Sequence, residues 1–360
     1  MTAGGGSGGG AGATGSGGGA GGGYGNGDRD GDGAGTGSGS GTGSGSGTGA
    51  GGGSRGGGGR GGGGRGGTGR GAGGGSRAGD GRDGFLARFA EEARSDQPDL
   101  ALLCLLMGAV ADPTLGQDGI DAAQIELDRL AGLLPYAPRG TAPGARAARA
   151  WATALAELLG ERCGFEGSAE DYRRLDSSLL HRVLRRRRGL PILLSVVWIE
   201  VARRAGARVY GVGLPGHFVV GFGDPADRVL ADPFHSGRPL SEEDAELLVA
   251  GATGEAVTRS LPAPARPLEV VLRVLNNVRA WAAAHPERTD VALWAVELSL
   301  LLPAHPARLR YERAQLLVAQ GDFLRGAAEM ERYAEVVEPV EPTAAEVIRH
   351  HARAARARLN

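Results

Sequence analysis

Two short strings gather the side chains best suited to moving protons or holding a ligand: Gly213-Leu214-Pro215-Gly216-His217-Phe218 and Asp232-Pro233-Phe234-His235. An imidazole acts as a general base only when an oxygen or sulfur nucleophile comes within about 3.2 Å of it. The chain offers two cysteines, Cys104 and Cys163. Cys104 stands inside a dense apolar run, the setting of a small buried hydrophobe. Cys163 precedes His217 in chain order, but its surroundings, Leu159-Gly160-Glu161-Arg162-Cys163-Gly164-Phe165, read as a helix end. Ser195 is a further hydroxyl, in a position where serine commonly bonds a carbonyl one turn back. Asp232 and His235 are three apart across a proline, which suits a turn better than a strand face. A metal site needs further ligands at recognisable spacing, and none follows, so neither metal nor cofactor is expected.

The elements that must carry these groups begin late in the chain. Residues 1–84 hold 47 of the 68 glycines and, among aromatics, Tyr24 alone. Such a stretch cannot bury enough apolar surface to offset a backbone entropy of roughly 1–2 kcal/mol per residue, and is read as a disordered tail. Within it, Arg55, Arg60 and Arg65 each open an Arg-Gly-Gly step. Such repeats can bind single-stranded RNA, although a plain flexible spacer explains them as well. From Phe85 to about residue 165, apolar residues recur at helical spacing through Leu100–Met107, Ile120–Leu134 and Ala147–Leu159, with a Pro/Gly-rich loop over 135–146. Leu179–Arg188 predicts a helix ended by Gly189. The arginines at 185–188 then serve its C-terminus rather than bind an anion. Pro191 suits the first position of the next helix, which is apolar on most faces through Ala205 and so buried.

Short β-rich runs follow at Arg208–Val212, His217–Phe222 and Val229–Ala231, with Pro215 and Gly216 placed as a type II turn requires. From Pro267 the chain is helical in pairs: Leu268–Ala284, Asp290–Leu302, Ala307–Gln320 and Phe323–Val337. The organisation expected is a tail (1–84), a helical N-terminal subdomain (85–165), a central α/β core (166–262) and helical repeats (267–360).

Three segments, Asp176-Ser177-Ser178-Leu179-Leu180-His181 running into Gly189-Leu190-Pro191, then Gly211 to Phe218, then Asp232 to Gly237, resemble the SirB-type transglutaminase-like family. The string Gly321-Asp322-Phe323 with Ala327, Tyr333 and Pro339 resembles the second half of a tetratricopeptide repeat, at about the expected period. The resemblance implies a papain-like core in which a cysteine at the N-terminus of a buried helix is the nucleophile. A histidine on the next strand is its base, and an aspartate on the strand after orients that histidine. His217 matches the histidine and Asp232 the aspartate. The nucleophile position falls on Pro191, flanked by Leu190 and Ile192, none of which carries a nucleophilic atom.

Three uses of the surviving pair stay open: a buried bond holding two strands in register, a ligand or metal site of His217, Asp232 and His235 with Gly216 beside it, and hydrolysis by water or a displaced nucleophile. The reading preferred is an α+β protein with a helical N-terminal subdomain, a transglutaminase-like core with a small antiparallel sheet, and C-terminal repeat hairpins. It would act as a non-catalytic scaffold binding a protein or peptide. The competing reading is an amide hydrolase or transferase that uses a displaced nucleophile with His217 and Asp232. The net charge of −1 gives no reason to expect nucleic acid by default. Two cysteines make no disulfide framework, and with no leader or long apolar run the expectation is a cytoplasmic protein without membrane partners. The chain has no lysine, which suggests a genome of very high G+C content such as an actinobacterium's.

Overall fold

The computed structural model describes residues 76–134, 144–253 and 262–359. The Arg-Gly-Gly series, the tail through residue 75 and residues 135–143 of the expected loop lie outside the described residues. Helix α1 (Ser76–Glu92) opens nine residues before Phe85. Its glycines make it a poor helix by propensity. Tertiary anchors compensate: Arg82 donates to Glu297 at 2.8 Å, and Phe89 is fully buried.

Helix α2 (Leu100–Ala111) is capped by Asp99, whose carboxylate accepts from the Leu102 N–H at 2.9 Å. It is buried on nearly every face, Cys104 included. Helices α3 (Gly116–Gly132) and α4 (Ala145–Leu155) follow, the latter running into a π-helical turn, Ala156–Arg162. Helix α5 (Leu180–Arg186) ends at Arg187 rather than at Gly189. Arg187 takes the left-handed conformation (φ 59°), and its N–H closes the last turn on the Val183 carbonyl at 2.7 Å. Helix α6 (Pro191–Arg204) starts at its proline as expected and is buried through Ala202.

Four strands form one antiparallel sheet in sequence order: β1 (Val209–Leu214), β2 (His217–Phe222), β3 (Val229–Asp232) and β4 (Arg238–Leu240). Leu214 pairs with His217 across the tight turn, where Gly216 has φ 67°. Phe218, Val220, Phe222 and Ala231 join the core built on α6. Val212, Leu214, Val219 and Leu230 pack with Ala245 and Val249 of helix α7 (Glu242–Thr253) on the other face.

Five helices complete the chain: α8 (Pro267–Ala283), α9 (Thr289–Leu301), α10 (Arg308–Ala319), α11 (Phe323–Val337) and α12 (Pro342–Ala357). The last was not expected. Helices α8 and α9 share the central core through Val271, Leu275, Val278, Trp294 and Leu298, whereas α10–α12 enclose a separate alanine-rich one. The fold is α+β, mostly helical around a small antiparallel sheet. Among the described residues, no helix is long and apolar enough to cross a membrane.

Candidate functional site

The antiparallel pairing of β2 and β3 sets the first residue of one strand near the last of the other. His217 and Asp232 meet there, with Nε2 3.0 Å from Oδ2. The contact is close without being aligned as a hydrogen bond. Asp232 is 1% exposed. Its Oδ1 accepts from the Phe234 N–H at 3.0 Å, and its Oδ2 also meets His235 Nδ1 at 2.7 Å. Burial pushes the Asp232 carboxyl up, but the two imidazoles outweigh it and hold it below the usual carboxylate range.

The loop that carries Phe234 and His235 is seated by Gly160, which has no Cβ to strike the Ser236 carbonyl, and by a 3.0 Å bond from the Gly167 N–H to the Phe234 carbonyl. Residues 160 and 167 gave no such signal in the sequence, because close approach of two backbones distant in the chain leaves no local pattern.

A pocket of about 200 Å³ opens beside His217. Pro191, Ile192 and Gly216 line it, together with Tyr172, Arg273 and Asn277. The site residues read from the sequence therefore divide. Pro191, Gly216 and His217 share this pocket, whereas His235 and Asp232 line another, of about 250 Å³, near Arg238 and Asp244. The residues that sequence reasoning missed are Tyr172 and the α8 side chains. The available signal was Asn276-Asn277 in mid-helix, where asparagine is a weak helix former.

Other nucleophiles are committed elsewhere. Cys104 is 2% exposed, and burial with Glu200 and Asp99 nearby pushes its thiol far up, away from the reactive thiolate. Cys163 follows the π-helical turn and packs against the central core. Ser195 does not bond back along its helix; its hydroxyl donates to the Phe218 carbonyl at 3.3 Å. Burial and the nearby Asp232 charge push the Tyr172 phenol up, so it stays protonated. Three of the four arginines of the run are spent on internal partners: Arg186 on Asp171 (3.3 Å), Arg187 on the Cys163 carbonyl (2.6 Å) and Arg188 on Glu166 (2.7 Å). Among the described residues, no group of three His, Cys, Asp or Glu side chains is arranged to hold a metal ion.

Comparison with known proteins agrees with this architecture. A family model described as the transglutaminase-like superfamily matches residues 121–276, and one for tetratricopeptide repeats matches 278–360. A UPF0162 protein of Xylella fastidiosa is 36% identical over 165 residues, which cover 44% of this chain and 58% of that protein. Mouse F-box only protein 21 is 27% identical over 175 residues, 46% of this chain and 26% of its own. The match thus spans less than two thirds of either relative. A crystal structure of menin, described as revealing the binding site for the Mixed Lineage Leukemia protein, aligns over 75% of this chain and 70% of its own. At 15% identity and a TM-score of 0.37, that likeness is too loose to carry an argument. Sheet, buried helix and helical array together follow the two family matches: the chain carries a transglutaminase-like domain followed by tetratricopeptide repeats.

Proposed function

We propose that the core is a catalytically silent transglutaminase-like domain, acting in the cytoplasm, that binds a protein or peptide segment in the pocket beside His217. The repeats supply a second contact surface, as helical repeats commonly do. One observation carries this reading. Where a nucleophile would stand, the pocket is lined by Pro191 and Ile192, and among the described residues its lining holds no thiol and no aliphatic hydroxyl. His217 and Asp232 then serve as a buried clamp between β2 and β3, with Asp232 also fixing the Phe234–His235 loop.

The competing reading, an amide hydrolase or transferase with a displaced nucleophile, draws on the same His217–Asp232 contact. The test is turnover by the full chain of a quenched fluorescent casein, and of a fluorescent amine offered with a glutamine-bearing acceptor. The expected result is no product beyond that of a Cys104→Ala/Cys163→Ser chain. Thiol-dependent turnover lost in Cys163→Ser alone would overturn the silent reading.

A further inference from the structure

The space beside His217 continues along α8. A second hollow of about 300 Å³ shares Tyr172 and Asn277 with the first and is lined also by Leu190, Trp281 and His285. Arg273, Asn276, Asn277, Ala280 and Trp281 of α8, with Ala284 that caps it, border the two hollows. Their spacing of three, four, seven, eight and eleven residues is one face of a helix. Tyr172, Leu190, Pro191 and His217 supply the opposing wall from the core. A single trough therefore runs along the seam between the transglutaminase-like domain and the first repeat helix.

Its two ends differ chemically. At the His217 end, the Arg273 guanidinium lies against Gly213 of β1 and 5.9 Å from the centre of the Phe218 ring. A Cβ on residue 213 would come within 2.6 Å of the guanidinium carbon, so glycine there makes room for the cation. Among the described residues, no carboxylate lies within 4.0 Å of Arg273. Glu269, one turn earlier, is paired with Arg266 at 2.7 Å instead. Asn276 receives a bond from Arg279 on its carbonyl oxygen, which leaves its amide N–H groups for another acceptor. The Asn277 side chain has no hydrogen-bond partner among the described residues, and its edge faces both hollows. The far end is largely aromatic and aliphatic, with Arg173 and Ser178 also on its lining: the Trp281 ring is held by a 2.9 Å bond from Nε1 to the Arg173 carbonyl and stacks on His285 at 4.0 Å.

We propose that this trough binds an extended peptide segment bearing one acidic side chain. The carboxylate meets Arg273 and the Asn276 and Asn277 amides, and an apolar side chain meets Tyr172 and Trp281. At the His217 end the single guanidinium, Arg273, flanked by neutral amides matches one carboxylate in charge and in donor count; Arg173 lines only the far hollow. From Arg273 to Trp281 is eight residues, about 12 Å of helix. An extended chain at about 3.3 Å per residue covers that in about four residues, and residues four apart on a strand face the same way. The recognised pattern is therefore an acidic and an apolar residue about four apart. This assignment rests on the binding role proposed above for the His217 pocket and names the chemistry of its partner.

The test uses the full chain and two pools of fluorescein-labelled, C-terminally amidated octapeptides. Leucine is fixed four positions from glutamate in one pool and from glutamine in the other, in both orders, and binding is read by anisotropy. The Glu pool should bind about tenfold tighter than the Gln pool, the gap between a charge-assisted and a neutral hydrogen-bonded contact. Arg273→Gln should erase that preference without weakening the Gln pool, and Arg273→Glu should turn it toward a third pool with lysine in place of glutamate. Gly213→Ala, which displaces the guanidinium, should reduce the preference with the far-UV circular dichroism unchanged. Equal binding of the Glu and Gln pools, a preference that survives in Arg273→Gln, or binding of neither pool would overturn the proposal. Cleavage of the peptides with the Glu preference intact would overturn the silent-core reading and leave this one standing.

Discussion

Among the described residues two aspartates stand beside histidines, with opposite results. At His217 the carboxylate is the buried partner: Asp232 is 1% exposed, and two imidazoles and one backbone N–H converge on it at the edge of an open pocket. At His181 the imidazole is the buried partner, 8% exposed, with neither ring nitrogen in an aligned hydrogen bond and Asp112 3.5 Å away. Asp112 gives its better bonds to Arg182 at 2.6 Å and to the Thr114 hydroxyl at 2.6 Å. Burial, reinforced by the Arg182 charge, lowers the His181 pKa to about 4, so the ring is neutral. Nearness of an imidazole to a carboxylate is thus common to packing and to function. What separates the two is the exposure of the carboxylate, 1% at Asp232 and 15% at Asp112, and whether the pair borders a cavity.

The comparison can be broken by removing each carboxylate. Asp232→Ala strands the largely buried His217 and the Phe234 N–H, and losing one partner of a buried pair costs about 3 kcal/mol. Asp112 is 15% exposed, and water can replace much of what it supplies, so Asp112→Ala should cost about 1 kcal/mol. Urea unfolding of the two variants measures both. Equal losses would show that the two pairs have the same structural weight.

Acid titration sharpens it further. His181 is neutral in the folded chain down to about pH 4 but protonates in the unfolded chain near 6.5. Protonation therefore favours unfolding, and the stability that His181 holds is complete above pH 6.5 and lost as the pH falls toward 4. The shift corresponds to about 3 kcal/mol as an upper bound. Asp112, Asp171 and Asp232 have lowered pKa values, so their contributions fade only below the ordinary carboxylate value of 3.8. Urea midpoints from pH 7 to 4.5 should fall for the parent chain and much less for His181→Gln. A flat parent profile would remove His181 as a buried neutral group.

Much of this contrast was legible in the sequence, and its limits have physical causes. The turn at Pro215-Gly216 and the strands on either side of it fixed where His217 stands, and Pro191 marked the start of α6 as expected. Strand β4 was missed because three residues around Pro239 form an edge too short for alternation to register. Helix α8 was legible as a helix, but which of its faces meets the core is decided by packing against α2 and α6, far away in sequence. The trough that unites Arg273, Trp281 and His217 therefore had no local signature. Arg187, which stops α5 in place of Gly189, is a case where bonds to the Val183 and Cys163 carbonyls override the usual preference for glycine at positive φ.

The smallest expected effect concerns Ser195, which lies one turn into α6 and whose oxygen ties that helix to the residue after His217. Its hydroxyl is fully buried and already donates to the Phe218 carbonyl at 3.3 Å, a long and therefore weak bond. Ser195→Ala should lower stability by about 1 kcal/mol, leave the Glu-over-Gln preference of the trough unchanged, and not alter reactivity toward a fluorophosphonate probe. Labelling of the parent chain at Ser195 would contradict this. It would show the hydroxyl free to reach His217, and the His217–Asp232 pair would then differ from His181–Asp112 by having a nucleophile as well as a cavity.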